Sequence, residues 1–264
     1  MDESIQIKNR TVNYKVIKSP DSGEKSQSKI SIFMVHGWGG SSDSLTNLAT
    51  LLSDAFDSYI IDLPGFGTSD MPDTDWGTLE YAELVSMWID EIKSKYRVNQ
   101  SVYFGHSFGG GIGVYLAGQK KQNFDLLMLS GSAVYRNPRI HPIVRILKKL
   151  PFYSNIKSSP RKFKRIINRL LGVNSDSHKF EALEPNYRKI ITFDLSSYAK
   201  AITLPTLILW GNDDEQTPIS QAYRLAEDID DEILKIYPNI GHGLPKLKPE
   251  LMVEDINKFI TSRI

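Results

Sequence analysis

The sequence predicts an α/β fold: a mostly parallel sheet of eight strands with helices on both faces and one helical insertion. Three observations carry this. Short apolar, β-branched runs alternate with longer stretches whose apolar residues recur at helical spacing. That alternation stops near residue 133 and resumes near residue 200, with helix-like pieces between. A serine set among glycines in "GHSFGG", residues 105–110, marks a sharp strand-to-helix junction.

The elements follow in order. "IQIKNRTVNYKVI" reads as two strands about a polar turn, and "KISIFMV" (29–35), closed by His36 and Gly37, as a buried strand. After "HGWGGSSDS", Leu45, Leu48, Leu51 and Leu52 sit at helical spacing. "SYIID" (58–62) is a further strand, closed by "LPGFG". From Thr78 to Tyr96, Leu79, Ala82, Val85, Trp88, Ile89 and Ile92 form one apolar helical stripe. "SVYF" (101–104) and "LLMLS" (126–130) read as strands, with a helix beginning at Ser107 between them. The insertion, 133–199, offers pieces such as "IVRILKKL" and "KFKRIINRLL", cut by Pro138, Pro142, Pro151 and Pro160. A strand at 204–211, a helix at 219–227, a strand at 232–238 and a helix at 249–261 complete the chain. The expected division is a core of residues 1–132 and 200–264 and a helical cap of residues 133–199.

Composition narrows the chemistry. The 264 residues carry a formal net charge of +1 and no cysteine, which removes disulfides and thiolate catalysis. No apolar leader opens the chain and no run approaches about 18 apolar residues, so no membrane span and a cytoplasmic location are expected. The charge is uneven. Leu126 to Ser175 holds eleven lysines and arginines, Arg136, Arg161 and Lys164 among them, and no acid. A solvated helix face is one account, and docking of an acidic partner is the other. Nucleic acid is not expected, since no stacking motif accompanies the charge.

Ser107 is the candidate nucleophile, because G-x-S-x-G between a strand and a helix holds a serine clear of its own backbone. It needs a base, and the base needs an orienting acid. Of five histidines, His106 adjoins the serine and should point away from it, and His36 reads as a structural loop residue. His141 and His178 fall in the insertion, which leaves His242 in "NIGHGLP" as the base. "WGNDDEQTP" offers Asp213, Asp214 and Glu215 as the acid, and local chemistry barely separates the two aspartates.

Together, "HGWGG" (36–40), "DLPGFGTSD" (62–70), "GHSFGG" and "GNDDEQTP" followed by Gly241-His242 resemble the α/β-hydrolase superfamily over nearly the whole chain. The resemblance implies the α/β-hydrolase fold with an inserted cap. It selects Asp214, four residues before Pro218, as acid beside Ser107 and His242. It also implies an oxyanion hole from the backbone N–H groups of Trp38 and Phe108, with both side chains shaping the substrate pocket. Dehalogenases and epoxide hydrolases of this fold carry aspartate where this chain has Ser107, so small carboxylesterases are the nearer likeness, acyl-carrier-protein methyl esterases among them. The expected activity is ester hydrolysis through an acyl-enzyme, needing no metal and no organic cofactor. Lactone hydrolysis, carrier-protein ester hydrolysis and a non-catalytic small-molecule receptor are the alternatives.

Overall fold

The computed structural model describes residues 1–20, 30–120, 123–136 and 181–264. Eight strands form one sheet: β1 (Asp2–Ile7), β2 (Arg10–Ile17), β3 (Ile30–Val35), β4 (Asp57–Ile61), β5 (Gln100–His106), β6 (Leu126–Ser130), β7 (Thr206–Gly211) and β8 (Glu232–Tyr237). Their order is β1-β2-β4-β3-β5-β6-β7-β8. The pairs β1–β2 and β2–β4 are antiparallel, and every pair from β4 through β8 is parallel. The sheet therefore matches the expected one, with its antiparallel part confined to the amino-terminal hairpin.

Strand alternation divides the core into two layers. Phe33 and Val35 of β3 join Tyr103 of β5 on one face, where Trp88 and Ile89 of α2 (Thr78–Tyr96) and Ile112 of α3 (Phe108–Gly118) cover them. Ile32 and Met34 join Val102 and Phe104 on the other face, under Leu45 and Leu48 of α1 (Asp43–Leu52). With both faces covered, β4, β6 and β7 are buried along their whole length, and each carries a continuous apolar stretch, Tyr59–Ile61, Leu126–Leu129 and Leu207–Trp210, for that reason.

Of the expected cap, residues 137–180 lie outside the described residues, and with them His141, His178 and most of the basic charges. The described remainder is helical: a 3₁₀ turn at Glu181–Leu183, then α4 (Glu184–Thr192) and α5 (Ser196–Ala199). Asn186 of α4 donates its side-chain amide to the Asp73 carbonyl at 2.7 Å and the Trp76 carbonyl at 3.1 Å, which ties this segment to the loop after β4.

The carboxyl-terminal end departs from the sequence reading. After α6 (Ile219–Asp228) and β8, the short α7 (Leu244–Leu247) precedes a 3₁₀ turn at Pro249–Leu251, and the last helix, α8 (Val253–Arg263), begins four residues later than the expected 249. Lys248 breaks the helical path at φ −143° and ψ 51°, and the turn closes through Met252 N–H to the Pro249 carbonyl at 3.0 Å. No described helix is long and apolar enough to cross a membrane.

Candidate active site

Strand β5 ends at His106 and helix α3 begins at Phe108, so the chain turns within one residue. Ser107 makes that turn at φ 53° and ψ −113°, a backbone state that costs a non-glycine residue on the order of 1–3 kcal/mol. Its surroundings impose the state. Ser107 N–H donates to the Ser130 carbonyl at 2.9 Å, and the Ser107 carbonyl accepts from Gly111 N–H at 3.1 Å and Ala133 N–H at 3.0 Å. The glycines let helix and strand approach. A Cβ on Gly109 would lie 2.2 Å from the Val35 carbonyl oxygen, and one on Gly105 would lie 2.5 Å from that of Gly109.

Asp214 and His242 stand on the loops after β7 and β8. Two backbone bonds lace those loops together, Asn212 N–H to the Tyr237 carbonyl at 2.8 Å and Asp213 N–H to the Ile240 carbonyl at 3.0 Å. The buried Asp214 Oδ2 then lies 2.8 Å from His242 Nδ1. Its Oδ1 accepts from Gln216 N–H at 2.9 Å and Thr217 N–H at 2.8 Å. Burial pushes the Asp214 carboxyl up, but the bonds from His242 and Thr217 outweigh it and hold it below the ordinary carboxylate value. Asp213 is exposed, with its carboxylate toward the Asn212 amide at 3.1 Å. Geometry thus separates the two aspartates that local sequence leaves nearly equivalent.

Ser107 and His242 line one cleft of about 430 Å³ together with Trp38, Phe108, His106 and Thr217. No hydrogen bond joins the Ser107 hydroxyl to His242, a looseness common in sites without substrate. An imidazole whose Nδ1–H is held by a carboxylate presents Nε2 as a proton acceptor. Among the described residues, neither Trp38 N–H nor Phe108 N–H donates to a backbone carbonyl. Trp38 packs its ring 5.8 Å from Phe108 and 4.9 Å from Phe66, giving the cleft an aromatic wall.

His36 is buried and ties two loops: its Nε2 accepts from Leu63 N–H at 3.1 Å, so Nδ1 carries the proton donated to the Gly37 carbonyl at 2.7 Å. Asp62 reinforces that junction by accepting from Ser42 N–H at 2.6 Å and Thr68 N–H at 3.0 Å. His106 corrects the sequence reading. Rather than turning away, it lies in the cleft wall with its ring centre 4.8 Å from that of His242, and its Nδ1 bonds the Ser130 carbonyl at 3.0 Å. Sequence reasoning also missed Thr217. Its hydroxyl lies 2.8 Å from Asp214 Oδ2, 3.1 Å from the Gly131 carbonyl and 3.3 Å from His242 Nδ1. The available signal is an Asp followed two and three residues on by backbone N–H groups that its own side chain can cap.

Known proteins share this architecture. The alpha/beta hydrolase fold family matches residues 30–145, the span from β3 through the Ser107 turn and past β6. The chain has the α/β-hydrolase fold and resembles hydrolases of that superfamily. It is 29% identical over 244 residues to an uncharacterized hydrolase of Bacillus subtilis, covering 86% of this chain and 88% of the relative. It is 25% identical over 259 residues to the pimeloyl-[acyl-carrier protein] methyl ester esterase of Wigglesworthia glossinidia brevipalpis, with 88% and 93% covered. Among solved structures, the enol-lactonase from Burkholderia xenovorans superposes with a TM-score of 0.72 at 17% identity, over 98% of this chain and 100% of the other. At that identity the likeness is one of fold.

Proposed function

We propose that this hydrolase cleaves carboxylic esters through an acyl-enzyme, with Ser107 as nucleophile, His242 as general base and Asp214 as the acid that orients it. The observation that carries the proposal is the pairing of a backbone-strained serine with a carboxylate-bound histidine across one cleft. In this reading His242 Nε2 takes the Ser107 proton as Oγ adds to the ester carbonyl. Asp214 keeps Nδ1 protonated and stabilises the imidazolium, while the N–H groups of Trp38 and Phe108 receive the oxyanion. His242 then returns the proton to the leaving alcohol, and water, activated by the same base, releases the acid.

A lactone is a cyclic ester and would pass through the same steps, its leaving alcohol remaining attached to the product. A carrier-protein methyl ester enters as a second reading through the likeness to the Wigglesworthia esterase. The decisive experiment is turnover of nitrophenyl esters of graded chain length by the wild type and by Ser107→Ala, beside covalent labelling with a fluorophosphonate. Labelling at Ser107 and loss of turnover in the variant are expected. A variant with a tenth or more of wild-type activity would remove Ser107 from the mechanism. Binding of esters without any turnover would favour a receptor.

A further inference from the structure

Arg136 lines the same cleft and has no part in ester hydrolysis as just described. Its Nε is sealed from solvent without a hydrogen-bond partner, and among the described residues no carboxylate forms an ion pair with its guanidinium. A half-buried guanidinium whose Nε is left in that condition is costly, because desolvation of that N–H is uncompensated. Burial pushes the Arg136 pKa down, and the nearby Tyr187 and Asp194 oppose this. The Asp194 carboxylate is engaged elsewhere: it accepts from the backbone N–H groups of Arg136, at 2.9 Å, and Ser196, at 3.0 Å, and contacts the Ser196 hydroxyl.

The backbone that carries Arg136 is fixed residue by residue. Ala133 N–H donates to the Ser107 carbonyl at 3.0 Å, and the Val134 carbonyl accepts from Leu195 N–H at 3.1 Å. Tyr135 donates its hydroxyl to Asp228 at 2.7 Å and stacks under Arg224, whose guanidinium carbon is 4.0 Å from the ring centre. A cation with no ion-pair partner among the described residues is therefore held on a backbone that is bonded to the Ser107 carbonyl, which is how a preorganised receptor is built. Among the described residues that line the cleft, the other charged side chains apart from the histidines, Glu215 and Lys246, are both exposed and open to screening.

We propose that Arg136 receives a carboxylate carried by the substrate, so that the preferred esters are anionic ones with a free carboxylate elsewhere in the molecule. The inference rests on the ester-hydrolysis reading for its substrate class. A single guanidinium matches a single carboxylate in charge and in planar, two-pronged geometry. The bound anion balances the guanidinium charge and places the ester at a set distance from Ser107.

The test is a ratio. Nitrophenyl hemiesters of linear dicarboxylic acids, from succinate to suberate, are each compared with the neutral nitrophenyl ester of the same acyl length. At least one hemiester should exceed its neutral partner tenfold or more in kcat/KM. Arg136→Gln should bring that ratio to near one, and Arg136→Lys should restore part of it. Because both esters are assayed on one sample, partial misfolding of a variant cancels. No preference across the series, or a preference that survives Arg136→Gln, overturns the proposal. A separate arm uses calorimetry of monomethyl adipate with Ser107→Ala, where no turnover is needed. Binding that weakens tenfold or more when Arg136→Gln is added supports the carboxylate site even if no ester is hydrolysed, an outcome that would instead sink the esterase reading. Absent or Arg136-independent binding there, with no selective turnover, sinks the site itself.

Discussion

The rings of His106 and His242 lie 4.8 Å apart, and His242 alone of the two is bound to a carboxylate. Burial, reinforced by the His242 charge and only partly opposed by the Ser130 carbonyl, drops His106 from 6.5 to about 3. A neutral His106 avoids placing a second cation against the imidazolium that catalysis would form on His242.

Folded His106 therefore stays neutral down to about pH 3, whereas an unfolded histidine takes its proton near 6.5. Between those values the unfolded chain binds more protons, so this group's share of stability is lost as pH falls from about 6.5 to about 3. His106→Asn keeps an N–H toward Ser130 and removes the titration. Urea unfolding of both proteins at pH 7, 5.5 and 4.5 should show the variant losing less stability than the wild type. Parallel losses would mean that His106 titrates alike in both states.

At Ser107 the strain belongs to the backbone, and the proposed chemistry to the hydroxyl. Ser107→Ala should abolish ester turnover and keep the strain, since alanine retains a Cβ at φ 53°. Ser107→Gly should be equally inactive yet more stable than Ser107→Ala by about 1 kcal/mol, as released strain outweighs the entropy lost by the unfolded chain. Thermal melts of the two variants measure this. Equal melting temperatures would mean the neighbours relax around the serine.

The two aspartates should separate widely. Asp214→Asn removes the carboxylate on His242 and should lower kcat by roughly 10⁴-fold, the scale of losing a triad acid. Asp213→Asn should change kcat less than about twofold, because the Asp213 side chain is exposed and meets only Asn212 within the described residues. Steady-state kinetics on a neutral ester decide it, and a larger loss at Asp213 would displace Asp214 from its role.

Under the proposed mechanism, Thr217 should act on catalysis through its hydrogen bond to Asp214. Thr217→Val deletes the hydroxyl at Asp214 Oδ2, a bond worth about 1 kcal/mol, so kcat should fall roughly fivefold. Thr217→Ser keeps the hydroxyl and should recover most of the rate. If serine and valine are equally impaired, the methyl packing rather than the hydroxyl is what matters there.

The central strands were legible because a sheet covered on both faces gives them apolar runs, as in "LLMLS" and "TLILW". Ser107 was legible through glycines whose absent Cβ atoms let α3 pack on β3 and β5. His106 was misplaced because it was read against its neighbour Ser107 alone, whereas the loop after β8 brings the His242 ring against it. Strand β5 runs on to His106, and parity carries its side chain to the face of Val102 and Phe104. Thr217 and Arg136 gave no periodic signal at all. Their importance comes from contacts made, or left unmade, across the sheet's carboxyl edge, which no local pattern encodes. The 3₁₀ turn at Pro249–Leu251 escaped because one break at Lys248 hides inside an apolar spacing that still suits a helix.

The β6–β7 ladder is the seam between two stretches of chain that lie far apart in sequence. Leu127 to Ser130 align with Thr206 to Leu209, bridged by bonds such as Leu127 N–H to the Pro205 carbonyl at 3.1 Å. Ser107 sits on one side of that seam in the sequence, and Asp214 and His242 on the other. A cut anywhere in 137–180 would thus leave the proposed nucleophile on one polypeptide and the proposed acid–base pair on its mate. Neither piece could react alone, so this hydrolase lends itself to use as a split reporter, its ester signal appearing when two fused partners draw β6 and β7 back into register.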